Sequence, residues 1–332
     1  MFRYLIRRLF VMIPTLIAIS FLIFIIIQAP PGSYLETYMA ELQSQGENVD
    51  QSKLEFLRHQ YGLDQPFLVQ YVKWAAGLLH GDLGYSFEHG MPVADVVGDS
   101  LWMTVLVTLA STLFVWVISF PIAIYSAVRQ YGLGDYFFTF LGYIGLATPS
   151  FLVALILLYL SHVWFGVSIG GLMAAEYIGQ PWSAGKFWSV LSHLWVPVLV
   201  IGLPGTAGMI RRLRANLLDE LHKQYVVTAR AKGMSGMRLL LKYPLRVSLN
   251  PFISDIGSLL PELISGSVIV SVVMSLPMTG PILLQALRSQ DMYLAGSFLM
   301  FMAFLTVVGV FISDILLALV DPRIRLGGGA VK

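Results

Sequence analysis

Two carboxylates within a long apolar stretch are the side chains of this sequence best suited to chemistry. Asp255 and Glu262 are seven residues apart, so two helical turns would place them on roughly one face of a helix. Acidic residues inside a membrane are energetically costly and usually serve a function. Glu262, which follows Pro261, is predicted to line a water-filled path or to form a hydrogen bond between helices. For Asp255, capping of a helix or pairing with nearby arginines at the membrane surface is an equally good interpretation.

A second group of polar side chains is a cluster of nine Lys and Arg residues between Arg211 and Arg246, where there are only two acidic residues. Each Lys or Arg at the centre of a bilayer costs about 2.5–3.5 kcal/mol, so this segment has to lie outside the membrane. Its residues favour a helix up to Gly233, which is placed to end that helix, and a second short helix before Pro244. A loop that only satisfied the charge distribution would need no such helix–glycine–helix pattern.

The signatures of several enzyme classes are absent from the sequence. It contains no G-x-x-x-x-G-K-[ST] phosphate loop and no H-E-x-x-H pair. The six histidines have no metal-ligand spacing, and the chain has no cysteine, which excludes disulfides, thiolate metal sites and cysteine nucleophiles. The chain is therefore predicted not to be an enzyme by itself and to hold no metal or cofactor. If it moves a solute against a gradient, the energy has to come from an ion or from another protein.

The elements that position these residues are predicted to be membrane-spanning helices. The 332 residues are 57% hydrophobic and 12% charged, whereas soluble domains have about 25% charged residues, so lipid is the predicted solvent. The net charge of +2 gives no indication of nucleic-acid binding. Six apolar runs are long enough to cross a bilayer, which takes about 20 residues. They cover approximately 9–28, 101–128, 136–165, 193–210, 252–274 and 294–319. The predicted fold class is an all-α integral membrane protein with six transmembrane helices.

The distribution of positive charge predicts the orientation of the spans. With a cytoplasmic N-terminus, the cytoplasmic segments hold 16 of the 21 Lys and Arg residues, and the segments outside hold 5. Both termini are therefore predicted to be cytoplasmic. This orientation divides the chain into an N-terminal segment with the first span, 1–28, an extracytoplasmic loop, 29–99, and a core, 100–332, which contains the basic loop 211–249.

The extracytoplasmic loop 29–99 is too long for a bare linker. Its apolar residues recur at helical spacing over 54–61 and again over 67–78, which predicts two amphipathic helices. Their apolar faces could pack on the ends of the spans, lie among the lipid headgroups or bind a partner protein.

The basic loop and several other stretches resemble a known family of membrane proteins. The stretch YVVTARAKGMSGMRLLLKYPLRVSLNP, residues 225–251, is similar to the cytoplasmic loop of bacterial ABC-importer permeases of the oligopeptide/dipeptide/nickel branch. Other stretches resemble that branch in the same order, namely YLIRRLFVMIPTL, APPGS, YGLDQPFLVQYVKW, HGDLGYSF, ATPSF, SGSVIV, LPMTG and LLALVDPRIR. The resemblance extends over essentially the whole chain, and it points to the first of two permease subunits, which has a long outer loop after its first span.

The resemblance implies the fold of a type I ABC-importer permease with a cytoplasmic coupling helix in the bacterial inner membrane. It implies a second homologous permease that completes a heterodimer, two ATP-binding cassette subunits that carry ATP and Mg²⁺, and a periplasmic solute-binding protein. The residues of the coupling element carried over onto this sequence are Tyr225, Thr228, Ala229, Arg230, Ala231, Lys232 and Gly233.

Each residue type has a physical role in that interpretation. Ala229 and Ala231 would keep the coupling helix slim enough for a groove of the ATPase. Arg230 and Lys232 would offer charge-assisted contacts, and Gly233 would permit the turn. Closure of the ATPase dimer would then push the coupling helices together and turn the cavity from inward to outward facing.

Two stretches near the outer end of the fifth predicted span depart from the pattern of this branch. Residues 271–273 read SVV where the branch often has an acidic V-E-T/S triplet, and SLPMTG stands where it often has GLPGIG. Ser271 and Pro277 are therefore added to Glu262 and Asp255 as candidate residues of the translocation path. The predicted substrate is an oligopeptide or a similar small oligomeric solute. An oligosaccharide is the alternative, because members of the branch are also associated with nickel, glutathione and oligosaccharides.

Two other classes of membrane protein are compatible with the apolar runs alone. An ion-coupled secondary transporter could use Asp255, Glu262 or Asp314 as a proton or cation site, but such folds usually contain inverted repeats, and none is apparent. A scaffold or receptor without transport would leave unexplained the residues that break several spans, among them Pro149 and Pro204. The importer permease is the favoured hypothesis.

Overall fold

The structure is a computed structural model that describes residues 2–29, 59, 65–86, 88–166 and 168–320. The described residues are mostly helical. The helices are α1 Phe2–Gln28, α2 Phe67–Leu79, α3 Val93–Val128, α4 Leu133–Ala147, α5 Ser150–Phe165, α6 Ala184–Leu221, α7 Gln224–Ala231, α8 Gly236–Lys242, α9 Pro244–Ser248, α10 Asn250–Val273, α11 Thr279–Arg288 and α12 Met292–Val320. Strands β1, Tyr85–Ser86, and β2, Met91–Pro92, form a short antiparallel hairpin between α2 and α3, and a 3₁₀ turn covers Ala175–Tyr177.

Four helices in the described part of the chain are long and apolar enough to cross a membrane. Their qualifying segments are Arg8–Gln28, Val93–Val128, Ala184–Leu221 and Met292–Leu316. Helices α4 and α5 qualify only as a pair, and the apolar stretch of α10 is short, Glu262–Val273. The prediction of six continuous spans is therefore not confirmed, whereas a multi-pass helical membrane protein is.

The third predicted apolar run, 136–165, is divided at Pro149, the residue that was predicted to break it. Helices α4 and α5 meet at an angle of 99°. Thr148 has extended backbone angles, φ −96° and ψ 119°, and Pro149 directly precedes α5. Proline lacks the backbone N–H for a helical hydrogen bond and disfavours helical angles in the residue before it, so the helix ends there.

Helix α6 is much longer than the span predicted in this region. Its 38 residues correspond to about 57 Å, whereas the hydrocarbon core of a bilayer is about 30 Å thick. Pro204 does not break it. The helix continues beyond Arg211 to Leu221 because no glycine or proline interrupts residues 209–221, which are mostly strong helix formers. The predicted cytoplasmic segment 211–249 therefore begins as a helical extension of a span.

The chain divides into two compact units. Unit 1 comprises Met1–Leu5, Thr104–Pro277 and Val308–Lys332, and unit 2 comprises Ile6–Met103 and Met278–Val307. In unit 1, a core cluster joins α3, α6 and α10 through residues such as Val115, Leu213 and Phe252. The topological division at 1–28, 29–99 and 100–332 concerns the sides of the membrane and stays a prediction.

In unit 2, the amphipathic helix predicted over 67–78 is confirmed as α2, and its apolar face packs on α1. The ring of Trp74 lies 5.6 Å from that of Phe24, and Tyr71 and Ser20 share a hydrogen bond of 2.9 Å between their hydroxyls. Of the three interpretations of this helix, packing on a span is the one that the structure supports. The helix predicted over 54–61 lies outside the described residues.

Asp291 connects the β-hairpin of unit 2 to the start of α12. The carboxylate is fully buried, and it accepts hydrogen bonds from the hydroxyl of Ser86 at 2.6 Å and from the backbone N–H groups of Glu88 and Leu294, both at 3.2 Å. Burial raises the pKa of the Asp291 carboxyl, although these donors act in the opposite direction. The bond to Leu294 also satisfies one of the free N–H groups in the first turn of α12.

In unit 1, a buried ion pair joins the first turn of α4 to α6. Arg214 donates from Nε to Oδ1 and from Nη2 to Oδ2 of Asp135, both at 2.7 Å. Asp135 is 2% exposed and also accepts from the backbone N–H of Tyr131 at 2.9 Å. This two-bond geometry holds the ends of the two helices in a fixed relative position.

We expect Asp135→Ala to lower the free energy of unfolding by about 3 kcal/mol, because Arg214 would keep its charge in a largely buried site without its partner. The control is Asp219→Ala, an exposed acid on α6, the helix that carries Arg214, which should change stability by less than about 0.5 kcal/mol. Denaturant unfolding in detergent would measure both variants. Equal losses in the two variants would contradict a structural role of this pair.

Candidate functional site

Helices α7 and α8 form a helical hairpin, residues 224–242, which we call the basic hairpin. Helix α7 ends at Ala231, and Gly233 follows with a φ of +78°. A Cβ at Gly233 would meet no atom within 4 Å, so the backbone angle and not the available space requires glycine there. The N–H of Gly233 donates to the carbonyl of Arg230 at 3.0 Å, which closes the turn. The helix–glycine–helix pattern predicted from the sequence is confirmed.

The basic hairpin has a small core of its own. Val226 and Ala229, three residues apart on one face of α7, are buried against Leu239 of α8, with Met234 and Tyr243 packed around them. Ala229 was predicted to keep the coupling helix slim enough for a groove of another chain, which stays a prediction. Its side chain lies inside the hairpin, because the helical period that buries Val226 also buries the residue three positions later.

The other predicted coupling residues are exposed on the hairpin. Four of them face outward, namely Thr228, Arg230, Ala231 and Lys232. The hydroxyl of Thr228 donates a hydrogen bond of 2.9 Å to the backbone carbonyl of Gln224 on the same helix. Within the described part of the chain, Arg230 and Lys232 have no hydrogen-bonding or ion-pair partner for their side chains. Two unpaired cations next to the glycine turn are therefore available to an acidic or polar partner surface.

Two contacts attach the basic hairpin to α6. The hydroxyl of Tyr225 donates a hydrogen bond to the carboxylate of Glu220, and burial together with this bond raises the pKa of the Tyr225 hydroxyl. On the other helix, Leu240 packs against Leu217 of α6 and Ala127 of α3. A displacement of the hairpin would therefore be transmitted to the end of α6.

The nine cations between Arg211 and Arg246 do not form one uniform surface. Arg214 holds Asp135 inside unit 1, and Arg212 donates to Asp255 at 2.7 Å. The ammonium of Lys242 lies 5.5 Å from the centre of the ring of Tyr243. The sequence did not separate these structural cations from the exposed ones, because their partners come from distant segments.

Unit 1 contains a cavity of about 590 Å³ between α3, the α4–α5 bend, α6 and α10, within the range of about 300–1,000 Å³ usual for small-molecule sites. Asp255 and Glu262 both line it, as does Arg212. The prediction that the two carboxylates share one face of a helix is therefore consistent with their positions on one cavity wall.

The two carboxylates have different surroundings. Asp255 pairs with Arg212, and both side chains are partly exposed, at 36% and 50%. The structure therefore supports the interpretation in which Asp255 pairs with an arginine. Glu262 is exposed to the cavity, and no described residue hydrogen-bonds to it or forms an ion pair with it. A role for Glu262 in a hydrogen bond between helices therefore has no support among the described residues.

The other two candidate path residues lie away from this cavity. Ser271 is fully buried in α10, and its hydroxyl donates to the carbonyl of Val268 at 2.7 Å. Pro277 is exposed beyond the end of α10 and does not line the cavity. Neither residue contributes to the cavity wall.

The sequence pattern missed several residues of the cavity wall. Trp116 of α3 and Gly208 of α6 line the cavity, together with Gly266 of α10. A Cβ at Gly266 would meet no atom within 4 Å, and one at Gly208 would meet only the tip of Leu146 at 4.0 Å, so both positions are open. Their glycine-containing runs are visible in the sequence, but the run itself does not say what space it borders.

Among the described residues, no group of three or more His, Asp or Glu side chains is placed to hold a metal ion.

The chain is similar to known membrane transport proteins over nearly its whole length. Residues 119–326 match the family model described as binding-protein-dependent transport system inner membrane component, and residues 1–108 match the model for the N-terminal part of such membrane components. The chain is similar to the oligopeptide transport system permease protein AppB of Bacillus subtilis, with 35% identity over 97% of this chain and 99% of the relative.

Two further relatives and one solved structure agree with this match. The oligopeptide permease protein OppB of Mycobacterium tuberculosis is 30% identical over 98% of this chain and 100% of the relative, and the dipeptide permease protein DppB of Lactococcus lactis is 29% identical over the same shares. The fold is similar to a chain of the methionine ABC transporter MetNI in an inward-facing conformation, with a TM-score of 0.51 and 16% identity, covering 68% of this chain and 96% of that chain.

We expect Ala229→Leu to open the basic hairpin, because extra methylenes in a packed core cost about 1–3 kcal/mol. Ala231→Leu is the matched control on the same helix, and it should change stability by less than about 0.5 kcal/mol because the side chain is exposed. Limited trypsin digestion of the purified protein in detergent would compare cleavage at the hairpin cations, which should be faster in Ala229→Leu. Equal cleavage rates in the two variants would show that the core around Ala229 does not hold the hairpin together.

Proposed function

Because this chain belongs to the family of binding-protein-dependent transport system inner membrane components, we propose that it is a permease subunit of an ABC importer for peptides. The single observation that carries the proposal is the near full-length similarity to permease proteins named for oligopeptides and dipeptides. The fold similarity to a chain of an ABC transporter supports it independently of sequence identity.

A peptide is the favoured substrate over the alternatives. The relatives described above are named for oligopeptides or dipeptides, and none of these is named for an oligosaccharide. An ion-coupled secondary transporter is not favoured either, because the family match covers most of the core of the chain. The cavity in unit 1, with its mixture of apolar, aromatic and acidic lining, provides a wall for a small oligomeric solute.

Energy would be supplied by partner chains. The proposed assembly contains this permease, a second homologous permease and two ATPase subunits that bind ATP with Mg²⁺, with a periplasmic solute-binding protein that delivers the peptide. ATP hydrolysis on the partners provides the free energy, and this chain provides half of the path. In this arrangement the protein lies in the bacterial inner membrane with both termini in the cytoplasm, as the distribution of positive charge predicts.

The basic hairpin is the proposed contact with an ATPase subunit. The exposed side chains of Arg230 and Lys232 lie beside the Gly233 turn and have no partner among the described residues. They can form charge-assisted hydrogen bonds with acidic groups of the ATPase. Tyr225 supports this contact indirectly, because its bond to Glu220 attaches α7 to α6.

Helix α6 is the proposed mechanical connection between the ATPase contact and the cavity. The helix is continuous from Ala184 to Leu221, with the hairpin attached near its end and with Pro204 and Met209 on the cavity wall. A force on the hairpin would therefore move one wall of the cavity. The partly exposed pair between Arg212 and Asp255 connects this wall to α10, and it can separate at low cost because surface ion pairs are worth about 0–1 kcal/mol.

We expect Arg230→Glu to reduce ATP hydrolysis stimulated by the loaded binding protein to the unstimulated rate, because it places a negative charge at the proposed contact with the ATPase. Gly233→Val should have the same effect, since a φ of +78° is strongly disfavoured for a β-branched residue. The control is Arg129→Glu, which reverses the charge of an exposed cation in the turn before α4 and outside the hairpin. The measurement is ATPase activity of the reconstituted importer, with membrane insertion checked separately. Normal stimulation in Arg230→Glu and Gly233→Val would refute the coupling role.

We also expect the reconstituted importer to accumulate a labelled tripeptide in proteoliposomes only when ATP is present on the ATPase side. An oligosaccharide of similar size should not accumulate. ATP-dependent uptake of the oligosaccharide without uptake of the peptide would overturn the substrate assignment. Peptide uptake driven by an ion gradient without ATP would overturn the class of transporter.

A further inference from the structure

Glu262 is placed to interact with a solute inside the cavity. It lies halfway along the 24-residue helix α10, on the wall of the cavity in unit 1. Its carboxylate is exposed there and has no described partner. An ionisable residue within a predicted membrane span normally faces a water-filled path and marks the route of a substrate.

The charges on the cavity wall leave a net negative charge at Glu262. Arg212 and Asp255 are the other two charged residues of the lining, and their charges neutralise each other across 2.7 Å. The described wall therefore carries one uncompensated negative charge, separated from the ion pair by about 10 Å along α10. This wall attracts a positively charged group of a solute and repels a negatively charged one.

The surroundings of Glu262 fit an ammonium group better than a metal ion. Calcium binding takes about 6–8 oxygen ligands, and the described residues contain no group of three potential metal ligands. An ammonium needs only one carboxylate and completes its hydrogen bonds with water, which gives short charge-assisted bonds. Every unmodified peptide carries such a group at its amino terminus, whatever its sequence.

The wall around Glu262 leaves room for side chains of different sizes. Gly266 lies one turn beyond Glu262 on the same helix, and a Cβ there would have no neighbour within 4 Å. Leu259 and Leu263 line the same wall and offer apolar surface. A fixed polar contact next to an open, apolar surface allows recognition of a constant group on a variable solute.

We propose that Glu262 binds the amino-terminal ammonium of the peptide inside the cavity, so that this permease favours peptides with a free amino terminus over peptides with a blocked one. The inference rests on the proposed function and names the chemical group that this site of the permease recognises. The contact has to be weak, because a transported solute must also leave the site.

The test compares uptake of trialanine and N-acetyl-trialanine by the complete importer in proteoliposomes. The affinity of the binding protein for each peptide is measured separately, and both peptides are supplied at saturation, so that any remaining preference arises in the permease. In the wild-type importer we expect uptake of trialanine to exceed that of the acetylated peptide by about fivefold to tenfold, the range for one net hydrogen bond in a weak contact. Equal uptake of the two peptides would overturn the proposal.

Glu262→Gln keeps the size of the side chain and removes its charge, and it should bring the uptake ratio to about one. Glu262→Asp, which keeps the charge, should retain most of the preference, so a result does not depend on a single variant folding. The matched control is Glu176→Gln, an exposed acid outside the cavity, which should leave the ratio unchanged. The binding protein is the same throughout, so a change in the ratio between variants belongs to the permease.

The outcomes separate this inference from the proposed function. An unchanged preference in Glu262→Gln would overturn the role of Glu262, even if uptake of both peptides remained normal. Loss of the preference in Glu176→Gln as well would show a general effect of negative charge and would also overturn it. Failure of the wild-type importer to take up either peptide with ATP would contradict the proposed function itself.

Discussion

The cost of removing a charge from water, into lipid or into the protein interior, is the constraint on which the rest of this structure depends. Each charged side chain of unit 1 has to be paired, to border a cavity or to lie beyond the membrane. Asp135 and Arg214 take the first solution, with two hydrogen bonds of 2.7 Å. Glu262 borders the cavity, and Arg230 and Lys232 are exposed on the basic hairpin, which is predicted to lie beyond the membrane. The three groups of charges therefore have different surroundings, and each group is assigned a different role.

The same constraint bears on the proposed role of the chain. The proposed contact with a soluble ATPase would need cations in water, whereas the proposed path would need an apolar wall with few charges. Helix α6 satisfies both requirements because it is about 57 Å long, far longer than the bilayer is thick. Near its end, Glu220 accepts a hydrogen bond from Tyr225 of the hairpin, and Met209 lies on the cavity wall. In the proposed function, this continuous helix would transmit a displacement of the hairpin to the cavity wall.

Much of this arrangement could be predicted from the sequence, because the relevant signals are local. The helix–glycine–helix pattern around Gly233 depends on helix propensity and one backbone angle, and the amphipathic face of α2 depends on the spacing of its apolar residues. The two prolines named as breaks had different outcomes. Helix α4 ends just before Pro149, as predicted, whereas Pro204 stands within an uninterrupted helix. A proline indicates where a helix can bend but not whether its neighbours bend it.

The sequence by itself determined that the chain crosses a membrane several times and that two carboxylates lie two helical turns apart, and it predicts that the segment 211–249 lies outside the lipid. Only the tertiary structure decided which charges are neutralised and which remain available. Asp255 pairs with Arg212, which is 43 residues away in the sequence, and Asp135 pairs with Arg214, which is 79 residues away. Burial of Ala229 between two helices likewise depends on how they pack. The physical reason is that apolar content, charge and periodicity are properties of one segment, whereas pairing and burial are properties of two segments that the fold brings together.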